Sequence, residues 1–398
     1  MSAALAPGTD TYDVVVAGGG PAGCAAALML ARAGRTVLLA DAGTGPPKVG
    51  ETLVPAGRVL LGDLGVADRV LDSGHLPCYG SLSAWGSADL HAVDFINDPH
   101  GHGWHLDRRL FDRRLRDASR AAGAEVVEGS AVRDTARTPD GGWTLVLRGG
   151  TGPAGTRSGG ERTVRCRWVI DATGRAAAIA VRCGARRRVG DRLTALYVPL
   201  EADPLDTDRR SLVESDEDGW WYTAPQPSGG RLVAYFTDAD LPAASHTARH
   251  FRRRMTATRH VSRWVHRDGP PPTPPAAPRR AAAHTAHLDT VYGDGWTAAG
   301  DAAVAFDPLS SQGVLTALYT GLGAGLAVDT RLGRAPYGAD SALAAYADKV
   351  AAARSAYLRG HRVIHAQETR WTDRSFWARR LADLPDLSCR PQEGPSTS

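Results

Sequence analysis

The chain has 398 residues, a formal net charge of +4 and 43% hydrophobic residues, a composition that excludes a globally disordered protein. Its five cysteines form no Cys-x-x-Cys pair, which argues against a zinc ribbon and a disulfide framework. The arginines are dispersed, and there is no apolar run of about 18 residues and no signal-peptide pattern at the N-terminus. We therefore expect a cytoplasmic protein that binds neither nucleic acid nor membrane.

The first half of the chain predicts a parallel sheet. Tyr12–Ala17 and Arg35–Ala40 have the apolar pattern of buried strands, and Pro21–Ala33 between them has that of a helix. Such a β-α-β unit implies a right-handed crossover between parallel strands. The next predicted elements are a helix over Asp107–Ala122 and strands over Glu125–Val132, Thr144–Arg148 and Thr163–Ala172.

The second half predicts a different sheet. Short strands over Leu193–Leu200, Trp220–Ala224 and Leu232–Phe236 indicate mostly antiparallel pairing. A strand over Trp296–Ala299 and an apolar helix over Gly313–Leu326 follow, and residues 340–382 have the amphipathic pattern of helices. The sequence therefore predicts an α/β protein with an inserted antiparallel sheet and a C-terminal helical segment.

A Gly-x-Gly-x-x-Gly motif, Gly18–Gly23, directly follows the first strand and opens the first helix. Gly18 permits the tight turn, Gly20 lets the backbone approach a pyrophosphate, and Gly23 lets helix and strand pack closely. The helix N-terminus presents free N–H groups to phosphates. Asp41 ends the next strand, where a carboxylate can hold ribose hydroxyls. The pattern predicts a dinucleotide-binding site.

Two further strands end in glycine–aspartate turns. The first is Asp171-Ala172-Thr173-Gly174, and the second is Gly300-Asp301, where the carboxylate can take another sugar hydroxyl. The second turn continues into Asp307–Val314, which opens the apolar helix and supplies another helix N-terminus.

These three motifs, in this order and spacing, resemble those of FAD-dependent monooxygenases of the aromatic-hydroxylase type over roughly residues 12–330. Asp107–Phe111 is similar to the family's Arg-x-x-Phe/Leu helix, whose arginine contacts the flavin. The resemblance implies that FAD is the cofactor and that it is held by Gly18, Gly20, Pro21, Ala22, Gly23, Asp41, Lys48, Glu51, Arg108, Val132, Asp171, Gly174, Asp301, Gln312, Gly313 and Val314.

The predicted domains follow from these motifs. Residues 11–185 and 284–335 form a discontinuous, Rossmann-like FAD-binding domain, and residues 186–283 form the substrate-binding sheet, to whose side residues 75–105 contribute. Residues 336–385 form the helical region, and residues 386–398 form a disordered tail.

Within the family, Gly50–Leu53, Asp307–Gly313 and Gly219–Pro225 look closest to the corresponding segments of flavin-dependent halogenases. The pattern departs from halogenases at Gln312, Tyr222 and Ala224. Halogenation also requires a lysine a few tens of residues after the Gly-Glu segment, but only Lys48 and Lys349 of the 47 basic residues are lysines. Arginine does not replace that amine, because it stays fully charged.

Tyr79–Gly86, Asp98–Arg108 and Gly219–Tyr222 resemble segments of the flavoproteins that mature tryptophylquinone-containing amine oxidases. This resemblance implies a monooxygenase in which reduced FAD and O2 give a flavin C4a-hydroperoxide. An electron-rich aromatic, such as the indole of a free or peptide- or protein-borne tryptophan, then takes one oxygen atom. The electrons would come from NAD(P)H directly or through a separate flavin reductase.

Aromatic side chains are predicted to form the substrate pocket, where stacking on an indole contributes about 0.5–1.5 kcal/mol per pair. The candidates are Trp104, His105, Trp220, Trp221, Tyr222 and Tyr235. Among them, His105, Trp220 and Tyr222 are the candidate catalytic residues. His102 and His105 flank Trp104, and either can act as a general base, with a hydrogen-bonded structural role as the alternative for each. Core packing is the alternative explanation for each aromatic. No metal site is predicted, because no carboxylate or cysteine completes a set with His100, His102 and His105.

Three other functions remain open. A halogenase would give a halide-dependent product, and a reductase of an isoprenoid double bond would give a saturated product without consuming O2. A non-enzymatic FAD-bearing scaffold would bind flavin without activating oxygen.

Overall fold

The structure, a computed structural model, describes residues 10–43, 52–149, 160–201, 206–265, 277–333 and 339–382. The predicted cofactor contacts Lys48 and Glu51 and the predicted tail at residues 386–398 lie outside the described residues. Among the described helices, none is both long enough and apolar enough to cross a lipid bilayer.

The chain begins with the predicted β-α-β unit: β1 (Asp10–Ala17), α1 (Pro21–Arg32) and β2 (Val37–Asp41). The inner half of β1 is fully buried and pairs in parallel with β2, Val14 lying opposite Val37. Gly23 is essential to this packing, because a Cβ atom there would lie 1.8 Å from the carbonyl oxygen of Gly18. The elements that follow up to the second sheet are β3 (Thr52–Leu53), α2 (Gly57–Asp63), α3 (Ala67–Val70), β4 (Leu76–Cys78), β5 (Gly80–Ala84), β6 (His91–Asp94), β7 (Gly103–His105), α4 (Arg108–Ala121), β8 (Glu125–Glu128), β9 (Ala131–Arg137), β10 (Trp143–Arg148), β11 (Glu161–Asp171), α5 (Ala178–Arg182) and β12 (Arg187–Val189).

The remaining elements complete the second sheet, to which β5 and β6 also belong, then return to the first and end in helices. They are β13 (Leu193–Leu200), β14 (Ser211–Asp216), β15 (Gly219–Pro225), β16 (Arg231–Asp238), α6 (Ala248–Ala257), α7 (Val261–Val265), β17 (Arg279–Ala282), β18 (Ala286–Leu288), β19 (Tyr292–Gly293), β20 (Trp296–Ala298), β21 (Val304–Ala305), α8 (Gly313–Leu332), α9 (Ala339–Ala366) and α10 (Ser375–Leu381).

The first sheet has the order β19-β20-β11-β1-β2-β8, and β9 and β10 extend it through the outer part of β11. Its central strands β20, β11, β1, β2 and β8 are parallel. The second sheet has the order β17-β13-β16-β15-β14-β5-β6 and is antiparallel except where β14 pairs with β5. The predicted α/β class with an inserted, mostly antiparallel sheet is confirmed, and strands from residues 80–94 do join that sheet.

The C-terminal helices pack on the second sheet through polar as well as apolar contacts. Trp85 Nε1–H donates to the carbonyl of Ile364 over 2.8 Å, and Trp377 Nε1–H donates to the carbonyl of Asp216 over 3.0 Å. The Glu368 carboxylate is fully buried and accepts hydrogen bonds from the Ser215 hydroxyl and the Arg370 guanidinium. These contacts hold the end of α9 against the sheet.

Some element boundaries differ from the prediction. The strand predicted over Glu125–Val132 is two strands, β8 and β9, because the chain turns at Gly129, whose φ of 72° suits glycine. The helix predicted over Gly313–Leu326 continues to Leu332, and the region 340–382 divides into α9 and α10.

Candidate flavin and substrate site

A cavity of about 580 Å³ has walls from both sheets. On one side lie the turns that follow β1, β11 and β20, together with the start of α8. On the other side lie side chains of β13, β15, β16 and β17. The cavity therefore connects the predicted cofactor motifs to the predicted substrate sheet.

The three glycine-containing turns meet because their strands are neighbours. In the register of the first sheet, Asp171 lies opposite Ala17 on one side and Ala298 on the other. The carboxyl ends of parallel strands share one edge of a sheet, so the turns that follow them converge. Residues of all three turns line the cavity: Gly20, Pro21, Ala22, Ala172, Gly174, Arg175, Ala299, Gly300 and Asp301.

Two helix N-termini border the cavity, those of α1 at Pro21 and of α8 at Gly313. A Cβ atom at Gly313 or at Gly174 would meet no atom within 4 Å, so both positions face open space. Free N–H groups and a positive helix end are the groups that bind phosphates and anionic rings. This wall therefore fits a dinucleotide such as FAD, with Gly20–Ala22 and Gly313–Val314 as the backbone contacts.

Asp41 lies beside the glycine turn in a fixed orientation. The Arg116 guanidinium donates to Asp41 Oδ2 over 3.2 Å and to the carbonyl of Gly19 over 3.3 Å. A Cβ atom at Gly19 would lie 2.7 Å from that of Asp41, so glycine is required for this close approach. The position suits a carboxylate that accepts hydrogen bonds from a ribose.

Arg108 begins α4 and lines the cavity although it is buried. Its guanidinium donates to both carboxylate oxygens of Asp112, one turn later in the helix, over 3.1 and 3.2 Å. Pairing with a carboxylate limits the cost of burying this charge and fixes the guanidinium in the wall.

Three other predicted cofactor residues lie differently. The Asp171 carboxylate is fully buried and accepts hydrogen bonds from the Thr173 hydroxyl and from the backbone N–H groups of residues 173, 179 and 180. These hydrogen bonds favour a structural role for Asp171, which shapes the turn that carries Gly174. Val132 lies in β9, and Gln312 precedes α8 with an exposed side chain. The lining of this cavity includes none of these three residues, nor does it include Gly18, Gly23 or Asp41.

The substrate side of the cavity is aromatic. The rings of Trp220 and Phe236 are parallel, with centroids 3.9 Å apart, and Tyr197 and Tyr222 line the same cavity. The Trp220 side chain is almost completely buried, and its Nε1–H has no hydrogen-bond partner among the described residues. An unpaired buried donor is costly, and this N–H has almost no surface that a bound molecule could reach.

The sequence also predicts Trp221, Tyr235 and Trp104 in the substrate pocket. That prediction is wrong, because none of the three lines this cavity. Successive side chains of a strand point to opposite faces, so Trp221 lies on the other side of the sheet from Trp220. There it contacts Tyr235, its cross-strand neighbour, with ring centroids 4.6 Å apart. Trp104 is buried in the core of the FAD-binding part.

His105 lies next to the cavity. The hydroxyl groups of Thr52 and Tyr222 connect its ring to the cavity. His105 Nε2 is 2.8 Å from the carbonyl oxygen of Arg209, which can only accept, so Nε2 carries the proton of the neutral ring. Nδ1 therefore accepts from the Thr52 hydroxyl over 3.2 Å. Thr52 Oγ1 in turn accepts from the Tyr222 hydroxyl over 2.9 Å. We call this chain the Tyr222–Thr52–His105 relay.

Burial lowers the pKa of His105 to about 4, and the nearby cationic side chains of Arg231 and Arg209 also oppose its protonation. The ring is therefore neutral at physiological pH, with Nδ1 available as a proton acceptor. Tyr222 and Thr52 line the cavity, so the relay leads from the substrate side into the protein.

Several residues of this site carry no motif in the sequence. Thr52 belongs only to a segment that resembles halogenases, and Tyr197 and Phe236 lie in predicted strands without a signal of their own. The signal that could have found Phe236 is its register, because it lies opposite Trp220 on the neighbouring strand. That register depends on the turn between β15 and β16, which the apolar pattern alone does not define.

Comparison with known proteins agrees with this geometry. Residues 11–322 match the FAD binding domain family. The chain belongs to this family. The chain is also similar to the putative FAD-dependent oxidoreductase LodB of Marinomonas mediterranea, with 28% identity over 382 residues, which cover 94% of this chain and 98% of LodB.

Two solved flavoprotein structures share the fold. The peptidyl tryptophan dihydroxylase QhpG, essential for tryptophylquinone cofactor biogenesis, is 26% identical with a TM-score of 0.76, over 95% of this chain and 80% of QhpG. The myxobacterial chondrochloren halogenase CndH is 21% identical with a TM-score of 0.81, over 95% of this chain and 87% of CndH. The predicted relationship to flavin-dependent halogenases and tryptophylquinone maturases is confirmed, and the chain is an FAD-dependent oxidoreductase.

Proposed function

We propose that this protein is an FAD-dependent monooxygenase that hydroxylates an electron-rich aromatic ring, the indole of a tryptophan that is free or carried by a peptide or protein. The observation that carries the proposal is the cavity itself, in which the cofactor turns face the stacked rings of Trp220 and Phe236. When bound and reduced, FAD would supply the two electrons that activate O2, and O2 would provide the transferred oxygen atom. NAD(P)H, directly or through a flavin reductase, is the proposed source of electrons.

The chain's own contribution begins with holding the ring. Trp220, Phe236 and Tyr197 offer flat apolar surfaces, and aromatic pairs of this kind gain about 0.5–1.5 kcal/mol beyond burial. The narrow side chains of Ala195, Ala234 and Ala281 leave room beside the aromatic wall.

The relay accounts for the proton that a hydroxylated ring must lose to become aromatic again. The Tyr222 oxygen accepts that proton while its own proton passes to Thr52 Oγ1, and the Thr52 proton passes to His105 Nδ1. The carbonyl of Arg209 stabilises the resulting imidazolium through its hydrogen bond to Nε2–H. Tyr222 is thus the group that contacts the substrate, and Thr52 and His105 act through it.

A tryptophan peptide and free tryptophan, each incubated with the protein, reduced FAD and ¹⁸O2, test the reaction. The expected product carries one or more ¹⁸O atoms on the indole ring, and mass spectrometry identifies the position. A comparison of the two substrates shows whether the peptide form is preferred, as the similarity to a peptidyl tryptophan dihydroxylase supports. Tight FAD binding with no oxygen in any indole would contradict the proposal.

Halogenation is the second candidate, because the fold is similar to that of a halogenase. Against it, the part of the cavity wall that the structure describes contains no lysine. Adding bromide or chloride to the same incubation distinguishes the two reactions. A halogen mass shift in place of oxygen would reverse the ranking.

A further inference from the structure

Three side chains that could bind a metal ion converge where the loop before α8 meets α9. Each of Asp307, His361 and His365 contributes one potential ligand atom, and the three atoms lie within 4.8 Å of one another. The two histidines are four residues apart on α9, so they lie on one face of the helix. Asp307 reaches them from a loop more than fifty residues earlier in the chain.

The hydrogen bonds of Asp307 and His365 leave a lone pair on each residue for a cation. Asp307 Oδ1 accepts from the backbone N–H of Leu309 over 2.9 Å, whereas Oδ2 lies 3.6 Å from His361 Nε2. His365 Nδ1 lies 2.8 Å from the carbonyl oxygen of His361. Because that oxygen can only accept, Nδ1 carries the proton, and Nε2 of the neutral ring keeps its lone pair.

His365 Nε2 is the second observation that points to a ligand. The residue is fully buried, and among the described residues Nε2 has no hydrogen-bond partner. A buried polar atom without a partner costs about 1–3 kcal/mol. Metal-binding histidines commonly donate their other ring N–H to a backbone carbonyl, as His365 does here, which fixes the ring for coordination.

The surroundings would strengthen an interaction with a cation. Asp307 is only 1% exposed, and the ring of Tyr357 stacks on Phe306 beside it with centroids 4.2 Å apart. The indoles of Trp85 and Trp377 lie at 5.7 and 6.0 Å from the His365 ring. In such an apolar shell a buried carboxylate needs a compensating charge.

We propose that Asp307 Oδ2, His361 Nε2 and His365 Nε2 bind one Zn²⁺ ion, with water as a fourth ligand. Two imidazoles and one carboxylate are a donor set that suits zinc, and histidines four residues apart on a helix can coordinate one ion together. The ion would link α9 to the loop that lines the flavin cavity through Asp307 and Pro308. This inference is independent of the proposed reaction.

The full-length protein with FAD bound is treated with a chelator, dialysed and titrated with ZnCl2 alone. We expect one zinc per chain by elemental mass spectrometry after gel filtration, and a higher melting temperature in the presence of zinc. Asp307→Asn keeps the shape of the side chain and its bond to Leu309, and His361→Ala changes a half-buried residue. Both variants should bind zinc at least about tenfold more weakly.

His287→Ala is the matched control, because His287 is also half-buried but lies in β18, outside the cluster. It should bind zinc as the unmodified protein does. Folding of each variant is checked by circular dichroism, so that loss of zinc is scored only for folded protein. The proposal is overturned if the unmodified chain retains no zinc, or if folded Asp307→Asn and His361→Ala bind it with unchanged affinity.

Discussion

The indole of Trp220 lies parallel to the phenyl ring of Phe236, with ring centroids 3.9 Å apart and an angle of 9° between the planes. The two residues are directly opposite each other on β15 and β16. Their stack forms part of the cavity wall that faces the cofactor turns. The aromatic wall is therefore built by strand pairing and is rigid before any substrate enters.

Trp220→Phe should keep the stack with Phe236 but reduce the aromatic surface of the cavity wall. An aromatic pair contributes about 0.5–1.5 kcal/mol beyond burial, so KM for a tryptophan peptide should rise by up to about tenfold with little change in kcat. Trp221→Phe is the control, since Trp221 lies on the opposite face of the same strand. If both substitutions raise KM equally, Trp220 has no direct contact with the substrate.

Gly313→Val should abolish FAD binding without unfolding the protein. The added side chain would meet no protein atom at its Cβ and would extend into the space at the N-terminus of α8 where we place the cofactor. Gly62→Val is the control, because Gly62 also faces open space but lies in α2, outside the cavity lining. Flavin absorbance of the purified variants and their melting temperatures measure the two effects. Normal flavin content in Gly313→Val would refute the placement.

Tyr222→Phe should lower kcat by about 10², the lower end of the range for general acid–base catalysis, because it removes the first hydroxyl of the relay. The ring and its contacts with the cavity remain, so KM should change little. Tyr197→Phe removes another tyrosine hydroxyl from the same cavity and should change kcat by less than about twofold. Single-turnover kinetics with a tryptophan peptide separate this step from flavin reduction. Equal effects of the two substitutions would argue against the relay.

Because His105 is buried in its neutral form, the free energy of unfolding should decrease at acid pH. Its pKa falls from 6.5 to about 4 on folding, so the unfolded chain binds a proton that the native protein excludes between these values. The stability that depends on neutral His105 is therefore complete above pH 6.5 and decreases as the pH falls towards 4. The expected loss is about 2 kcal/mol at pH 5 and about 3 kcal/mol at pH 4.

Urea unfolding at pH 7 and pH 5 tests this linkage. His105→Asn does not titrate in this range, and its side-chain oxygen can still accept a hydrogen bond from Thr52. The variant should lose about 2 kcal/mol less than the unmodified protein over the same interval. Identical losses in both proteins would mean that His105 is protonated in the native state.

Glu368→Gln should loosen the C-terminal helices from the second sheet. The buried carboxylate accepts from the Ser215 hydroxyl, the Arg370 guanidinium and the backbone N–H of Gly86. Loss of hydrogen bonds to a buried charge should lower the free energy of unfolding by about 2–3 kcal/mol. Glu217→Gln removes an exposed partner of Arg374 and should cost less than about 1 kcal/mol. Urea titrations of both variants make the comparison.

The sequence by itself determined the cofactor half of this protein. A tight turn, a close helix–strand contact and a helix N-terminus are local features, so Gly18–Gly23 and the start of α8 at Gly313 could be recognised from their order along the chain. The apolar patterns likewise predicted about half of the described strands, among them β1, β2 and β11 of the first sheet and β13, β15 and β16 of the second. The same patterns did not reveal the turn at Gly129, because one glycine in an apolar run does not show whether the strand continues.

Only the tertiary structure decided which side chains share the site. Trp220 and Trp221 are adjacent residues of the same type, and which of them lines the cavity depends on which face of the second sheet packs towards the cofactor turns. Thr52 meets His105 because β3 pairs with β7, and Asp307 meets His361 because α9 packs beside the loop before α8. These partners are distant along the chain, and hydrophobic packing of whole elements brings them together without leaving a local sequence signal.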